Sequence, residues 1–355
     1  MLFGVHVFAR AKVVPDVALS RGEDAYRAAR LEGDRTVEFL AAGGVGLTLL
    51  ELGDIEGAEK WLGQAATAAS MAPSSTRARQ LETWRGIVRA SAGDADGAIH
   101  HLQHALTIAT ESGAASARCE TLARLALVAA GLVGEGEGAD PDLAALVEDA
   151  AAQVHALSPV LPGHAPWGAQ AEAARSTLAL RRGDVPAAAA AGGAALEALQ
   201  SGLHEDASLE IVLPAARALL EGGPPEVQDF VRGYLRTTLT RTAQGILDES
   251  IRVRWLKGPV GRELVELAGP MDAPRAVPVA GASAKHAAAD LDDADRQLLR
   301  LLTEGRTNGE IATELQLDEE DVVQRLARLQ AQLGASSRSE ATSLAFRGLA
   351  AVGSR

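Results

Sequence analysis

The spacing of apolar residues along the chain is helical from residue 16 to residue 268. Apolar side chains recur every three or four positions, and short polar stretches with glycine or proline interrupt them. The pattern predicts a leading helix over 16–32 without a partner helix, a closing helix near 260–268 and five helix pairs between them. The predicted pairs are 36–52/55–71, 77–92/95–111, 116–133/141–157, 168–182/185–201 and 206–221/225–247. We expect an all-α protein.

Three phrases in this region resemble one another. They are "ELGDIEGAEKWLGQAA" from Glu51, "SAGDADGAIHHLQHAL" from Ser91 and "RRGDVPAAAAAGGAAL" from Arg181. In each phrase the glycine of Gly-Asp can end one helix in a left-handed cap, and the aspartate can cap the next helix. Alanines at fixed distances after the glycine would let antiparallel helices pack closely. These alanines are Ala58 and Ala65, Ala98 and Ala105, and Ala188 and Ala195.

The repeated phrases resemble tetratricopeptide repeats, which alternate helices around such turns. The first two glycines, Gly53 and Gly93, lie 40 residues apart, whereas the tetratricopeptide period is ~34 residues. Two-helix repeats of the HEAT type are therefore the alternative. Either resemblance implies a right-handed solenoid of helix pairs over 35–269, with a concave surface for a protein partner or ligand.

The prolines and small residues of "PMDAPRAVPVAGASAKHAAA" predict a linker over 270–289. The chain then divides into an N-terminal segment with a leading helix (1–34), the repeats (35–269), the linker, and a C-terminal domain (290–355). Helical apolar spacing in this last domain predicts four short helices. The first is broken at Gly305 and the third is capped by Gly334.

The C-terminal domain resembles the LuxR/GerE-type helix-turn-helix. The matching positions are Leu291, Gly305, Asn308, Glu310, Ile311, Ala312, Leu315, Leu317, Val322, Leu326, Leu333, Gly334, Ser337 and Arg338. The resemblance implies that the helix over 318–333 is the recognition helix, which enters the DNA major groove. It implies DNA contacts from Arg306, Thr307, Asn308, Gln324, Arg325 and Arg328. It also implies a dimer contact through Ala341, Leu344 and Ala345; the alternative is that these three residues only close the core of the domain.

The departures from this family pattern lie on the DNA side. The recognition helix begins with Asp318, Glu319, Glu320 and Asp321, where the family usually has serine and threonine at the first and last of these positions. Carboxylates stabilise a helix N-terminus, but they oppose binding to phosphates. From residue 290 onward, twelve acidic residues and eight arginines leave a net charge of −4.

Composition and charge restrict the remaining possibilities. A net charge of −13 excludes a uniformly basic nucleic-acid binder. Cys119 is the single cysteine, so it forms no disulfide within the chain, and we interpret it as a small buried hydrophobic residue. The chain contains no run of about 18 uncharged apolar residues, so we expect no membrane span and a cytoplasmic location. It contains no GxxxxGK[ST] phosphate loop, so we do not expect ATP hydrolysis.

Other polar motifs favour surface or packing roles. His100 and His104 share one helix face, which favours a solvated or partner-facing surface; a metal site is the alternative. The basic segment "RVRWLKGP" (252–259) is interpreted as a solvated helix end, with contact to nucleic acid or docking of the C-terminal domain as alternatives. The four tryptophans are expected to pack between helices. They are Trp61, Trp84, Trp167 and Trp255.

The sequence therefore predicts a transcriptional regulator of LuxR type without enzymatic activity. We expect neither a cofactor nor a metal. Its repeats would bind a partner or ligand, its C-terminal domain would address DNA, and a homodimer is possible through the last helix. The alternative is an interaction protein whose acidic helix-turn-helix docks another protein.

Overall fold

A computed structural model of the chain describes residues 14–161, 166–201, 209–269, 295, 297–298, 301, 308–318, 321–322, 324–326 and 328–329. The chain divides into two compact units, Met1–Pro270 and Met271–Arg355. Regular structure in the described residues is helical in both units. The helices of the first unit are α1 (Pro15–Glu32), α2 (Arg35–Glu51), α3 (Ile55–Met71), α4 (Ser75–Ser91), α5 (Ala95–Glu111), α6 (Ala115–Leu132), α7 (Pro141–Leu157), α8 (Trp167–Arg181), α9 (Val185–Ser201), α10 (Leu209–Gly222), α11 (Pro225–Gly245), α12 (Glu249–Lys257) and α13 (Pro259–Ala268).

The repeated Gly-Asp turns have the capping geometry expected from the sequence. Gly53, Gly93 and Gly183 adopt φ values of 78°, 80° and 75°, a left-handed conformation that suits glycine. The next residue in each turn, an aspartate, caps the following helix through a carboxylate oxygen. The three caps are Gly57 N–H to Asp54 at 2.8 Å, Gly97 N–H to Asp94 at 2.9 Å and Ala187 N–H to Asp184 at 3.1 Å.

Small residues bring the two helices of a repeat close together. The six alanines of the repeated phrases are all fully buried. A Cβ added to Gly86 of α4 would lie 2.6 Å from Leu102 of α5 and 3.1 Å from the backbone oxygen of Ala98. A Cβ added to Gly43 of α2 would overlap the indole of Trp84, a buried ring that stacks on Phe39. These contacts confirm that the first unit consists of packed helix pairs.

Two parts of the first unit differ from the sequence-based expectation. Helix α1 is not unpaired, because it packs along α2, and Tyr26 of α1 donates a hydrogen bond to Gln64 of α3 at 2.8 Å. At the other end of the unit, α11 packs more on α13 than on α10, its predicted partner. The basic segment over 252–259 contains, as expected, the end of a helix, α12. Arg254 and Lys257 are exposed in its last turn, while Trp255 between them is buried.

The last helices of the first unit pack back onto its first helices. The fully buried Trp255 of α12 donates a hydrogen bond through Nε1 to Glu51 Oε1 of α2 at 2.9 Å. Leu52 belongs to the same apolar cluster as Trp255 and the α13 residue Leu264. The carboxylate of Asp16 accepts from the backbone N–H groups of Leu247 and Asp248 at 2.8 and 3.2 Å. The first unit is therefore a closed array of helices, in which both ends meet.

A buried carboxyl group lies at this closure. Burial raises the pKa of the Glu51 carboxyl above its usual range, and the hydrogen bond from Trp255 opposes that rise. Nearby, Arg254 of α12 forms an ion pair with Asp54 at 3.2 Å, with both side chains partly exposed. The closure thus combines an apolar cluster, one hydrogen bond to a buried acid and one surface ion pair.

The described helices offer no candidate for a membrane span, since none of them is both long and apolar enough. The single cysteine, Cys119, is fully buried in α6, and desolvation raises the pKa of its thiol to about 11. A thiol with that pKa is protonated at neutral pH and is a poor nucleophile. Its interpretation as a small buried hydrophobic residue is confirmed.

Candidate DNA-binding site

The described residues of the second unit form the core of a helix-turn-helix. Its first helix, α14, spans Asn308–Leu315. The chain then turns at Gln316, whose φ of 54° is left-handed, and the N–H of Leu317 closes the turn on the carbonyl of Ala312 at 2.9 Å. Residues 321–329 are helical wherever they are described. The buried core consists of Leu298, Leu301, Ile311, Ala312, Val322, Leu326 and Leu329.

The exposed face of the recognition helix carries both signs of charge. Asp318, Asp321, Gln324 and Arg328 are exposed, and they are separated by three, three and four positions. Residues with that spacing lie along one face of a helix. The carboxylates at the start of the helix therefore share a face with the polar residues that the family resemblance assigns to DNA. Any DNA phosphate near this N-terminal turn would meet negative charge.

The two arginines of the recognition helix are held by a buried aspartate. Asp295, only 4% exposed, accepts from Nη2 of Arg328 at 3.1 and 3.3 Å through its two carboxylate oxygens. Nη1 of Arg325 lies 4.0 Å from the same carboxylate. Both arginines remain partly exposed, with 53% and 34% of their side chains accessible. Asp295 thus offsets part of the positive charge of the recognition helix.

A small hollow lies beside this ion pair on the recognition helix. Its volume is about 330 Å³, and it is lined by Leu317, Asp321, Gln324, Arg325 and Arg328. Hydrogen-bond donors and acceptors are therefore concentrated around the residues that the family resemblance assigns to DNA contacts. Gln324 offers both an amide donor and an amide acceptor, the pair that a glutamine presents to adenine.

The structure brings some of the predicted site residues together. Gln324, Arg325 and Arg328 lie on one helix around the hollow, while Asn308 begins α14. Arg306 and Thr307, and the predicted dimer residues Ala341, Leu344 and Ala345, lie outside the described residues. All of these assignments remain predictions.

The sequence pattern did not indicate a role for Asp295, which entered only as one of the twelve acidic residues counted from residue 290 onward. Its partner Arg328 lies 33 residues further along the chain. An ion pair between residues so far apart in the chain leaves no local sequence pattern. Only the packing of the helical residues 295–301 that are described against the recognition helix reveals it.

The histidine motif of the first unit does not assemble a metal site. His100 is exposed, and Nδ1 of His104 lies 3.3 Å from Glu82. Nδ1 of the neighbouring His101 lies 2.7 Å from the same carboxylate. Among the described residues, no group of three or more histidine, cysteine, aspartate or glutamate side chains has an arrangement suited to a metal ion.

Comparison with known protein families identifies the second unit. Residues 290–345 match the family described as bacterial regulatory proteins, luxR family, also known as GerE. The C-terminal part of the chain is therefore a LuxR-type helix-turn-helix domain, a DNA-binding domain of transcriptional regulators. A search of curated proteins gave no significant match to the chain.

Proposed function

We propose that this protein is a transcriptional regulator whose closed array of helices binds a ligand or partner and whose LuxR-type domain addresses DNA. The match of residues 290–345 to a family of regulatory proteins carries the proposal. The helix-turn-helix core and the polar hollow around Gln324 support it. The proposal assigns no catalytic activity to the chain.

The charges of the recognition helix predict weak binding with a shallow salt dependence, because the salt dependence grows with the number of phosphate contacts. Phosphate contacts by lysine and arginine supply most of the sequence-independent affinity of DNA-binding proteins. Here Arg325 and Arg328 are shared with Asp295, and Asp318 and Asp321 repel phosphates. Sequence preference would then depend on base contacts, above all those of Gln324. We expect low affinity for random DNA and a measurable preference for an enriched sequence.

The test is binding of the full chain to fluorescent duplex DNA. A random-sequence duplex pool is enriched by repeated selection at low salt, and fluorescence anisotropy then compares the enriched and starting pools at low and physiological salt. Gln324→Ala should weaken binding to the enriched sequence by roughly 1–3 kcal/mol, the usual value of a bidentate base contact. Gln297→Ala is the matched control, because Gln297 is also exposed but lies outside the recognition helix.

Two results would contradict the proposal. The first is an absence of enrichment and of binding even at low salt. The second is binding that Gln324→Ala and Gln297→Ala leave equally unchanged. The first result would instead favour the interaction protein considered above, in which the exposed carboxylates Asp318 and Asp321 would contact a basic protein surface.

A further inference from the structure

The closure of the first unit creates a cavity of about 830 Å³. Five helices line it: α4, α6, α8, α10 and the closing helix α13. Because Pro259 of α13 and Ile87 of α4 belong to the same wall, an open array without the closing contacts would lack this cavity. Binding sites for small molecules have volumes of about 300–1,000 Å³. The cavity is therefore large enough for a small molecule and too small for a folded domain.

The wall of the cavity combines an apolar strip with ion pairs. Leu127, Val128 and Leu180 supply apolar surface from α6 and α8. The buried Arg124 makes a bidentate ion pair with Glu210, which also accepts from Gln170 at 2.9 Å. Two further arginines of the wall have acidic partners. These are Arg181 with Glu135, and Arg217 with Glu263 and Glu266.

One positive and one negative side chain of the wall are left for a ligand. Arg262 of α13 and Glu221 of α10 both line the cavity, both are exposed to solvent, and neither forms an ion pair with another described residue. The other charged side chains of the cavity wall already form the ion pairs described in the preceding paragraph. The wall carries one more acid than base, so it does not attract a purely anionic ligand such as a nucleotide. A neutral apolar ligand would contact the apolar strip alone and would use neither of these charges.

We propose that this cavity binds a small zwitterionic molecule, of the size of an amino acid or a short peptide. The ligand's carboxylate pairs with Arg262, its ammonium group pairs with Glu221, and its apolar part lies on the strip that includes Leu127. This inference rests on the proposed function in one respect: both take the closed array as the part of the protein that binds a ligand. It does not require that the second unit bind DNA.

The test measures thermal unfolding of the full chain, without DNA, in the presence of defined peptide pools. The first pool contains tetrapeptides randomised at all positions with free termini. The second pool has the same sequences with acetylated N-termini and amidated C-termini. Free peptides at a hundredfold excess over their dissociation constant should raise the unfolding midpoint by roughly 5–10 °C, since ligand binding stabilises the folded state by mass action. The blocked peptides should raise it by less than about 1 °C.

Glycine substitutions offer a matched pair for locating the binding site. Gly131 of α6 lines the cavity, and Gly63 of α3 does not; a Cβ at either position meets no other atom within 4 Å. Gly131→Leu should fill part of the cavity and abolish the shift, whereas Gly63→Leu should preserve it. Arg262→Gln and Glu221→Gln should each reduce the affinity for free peptides about tenfold or more, without changing the unfolding midpoint in the absence of peptide.

Three results would overturn the inference. They are no shift with either pool or with free amino acids, equal shifts with free and blocked peptides, and a shift that Gly131→Leu and Gly63→Leu leave alike. Free amino acids, titrated in the same assay, separate an amino-acid ligand from a peptide ligand. Because DNA is absent, a failure here leaves the DNA-binding test unaffected, and a failure of DNA binding leaves this test intact.

Discussion

The hydrogen bond between Trp255 and Glu51 gives a quantitative test of the closed array. Trp255→Phe removes the Nε1–H donor and leaves the buried carboxylate without its indole partner. Loss of a partner for a buried charged group costs about 1–3 kcal/mol, or more. The smaller phenyl ring also loses packing, because Trp255 is fully buried. With roughly 2–4 °C per kcal/mol for a unit of this size, the unfolding midpoint should fall by about 5 °C or more.

The two contributions to this loss differ in their dependence on pH. The folded-state pKa of Glu51 is raised, so its contribution to stability is fully present below the unfolded-state pKa and declines as pH rises through the folded-state pKa. The bond from Trp255 lowers that pKa, and its removal therefore raises the pKa further. The loss due to the hydrogen bond should be smaller below the folded-state pKa of Glu51 and larger above it, because the indole N–H stabilises the ionised carboxylate. The packing loss should be the same at every pH.

Urea unfolding over a series of pH values measures both contributions, and Glu51→Gln supplies the control. A glutamine keeps the shape and the acceptor oxygen but does not titrate. Trp255→Phe should therefore cost the same at every pH in the Glu51→Gln background, whereas in the wild-type background its cost should increase as the pH rises through the folded-state pKa of Glu51. Equal costs in the wild-type background would refute the reasoning, since they would show that the carboxylate does not depend on the indole.

Three further predictions concern packing and charge. Gly43→Ala should destabilise the first unit by about 1–3 kcal/mol, because the added Cβ overlaps the buried indole of Trp84. Gly63→Ala should instead stabilise α3 by up to about 1 kcal/mol, because the added Cβ meets no other atom within 4 Å. Urea unfolding measures the free energy of unfolding of both variants. Asp295→Asn should raise affinity for duplex DNA about twofold to fivefold at low salt, because it releases two partly exposed arginines; unchanged anisotropy titrations would contradict this. Replacing Asp318 and Asp321 together with asparagine should also strengthen DNA binding, by about 0.5 kcal/mol for each charge removed at ~8 Å from a phosphate. The gain should shrink at higher salt, and a gain independent of salt would refute its electrostatic origin.

The local features of the fold could be predicted from the sequence because their causes are local. The Gly-Asp turns at Gly53, Gly93 and Gly183 require a left-handed residue and a capping carboxylate next to each other, so the sequence pattern shows them directly. The core of the helix-turn-helix was likewise visible in the spacing of residues such as Ile311 and Val322.

Contacts between distant residues could not be predicted in the same way. Trp255 was expected to pack between helices, but nothing in its neighbourhood indicates that Glu51, 204 residues away, is its partner. The ion pair between Asp295 and Arg328 is likewise absent from the local sequence pattern, and it alters the interpretation of the surface that the family resemblance assigns to DNA. Periodicity shows which face of a helix is buried, but it does not show which other element covers that face.

The closed array also bears on how the first unit folds. In an open array of repeats, each pair is stabilised by its neighbours, so folding can begin anywhere and an end can fray while the middle persists. Here the contact of Trp255 with Glu51 joins the two ends of the first unit. That contact can form only after the ends of a chain segment of 204 residues have come together. Such long-range contacts slow folding. They also link the stability of the first helices to that of the last, so the two ends of the first unit should unfold together.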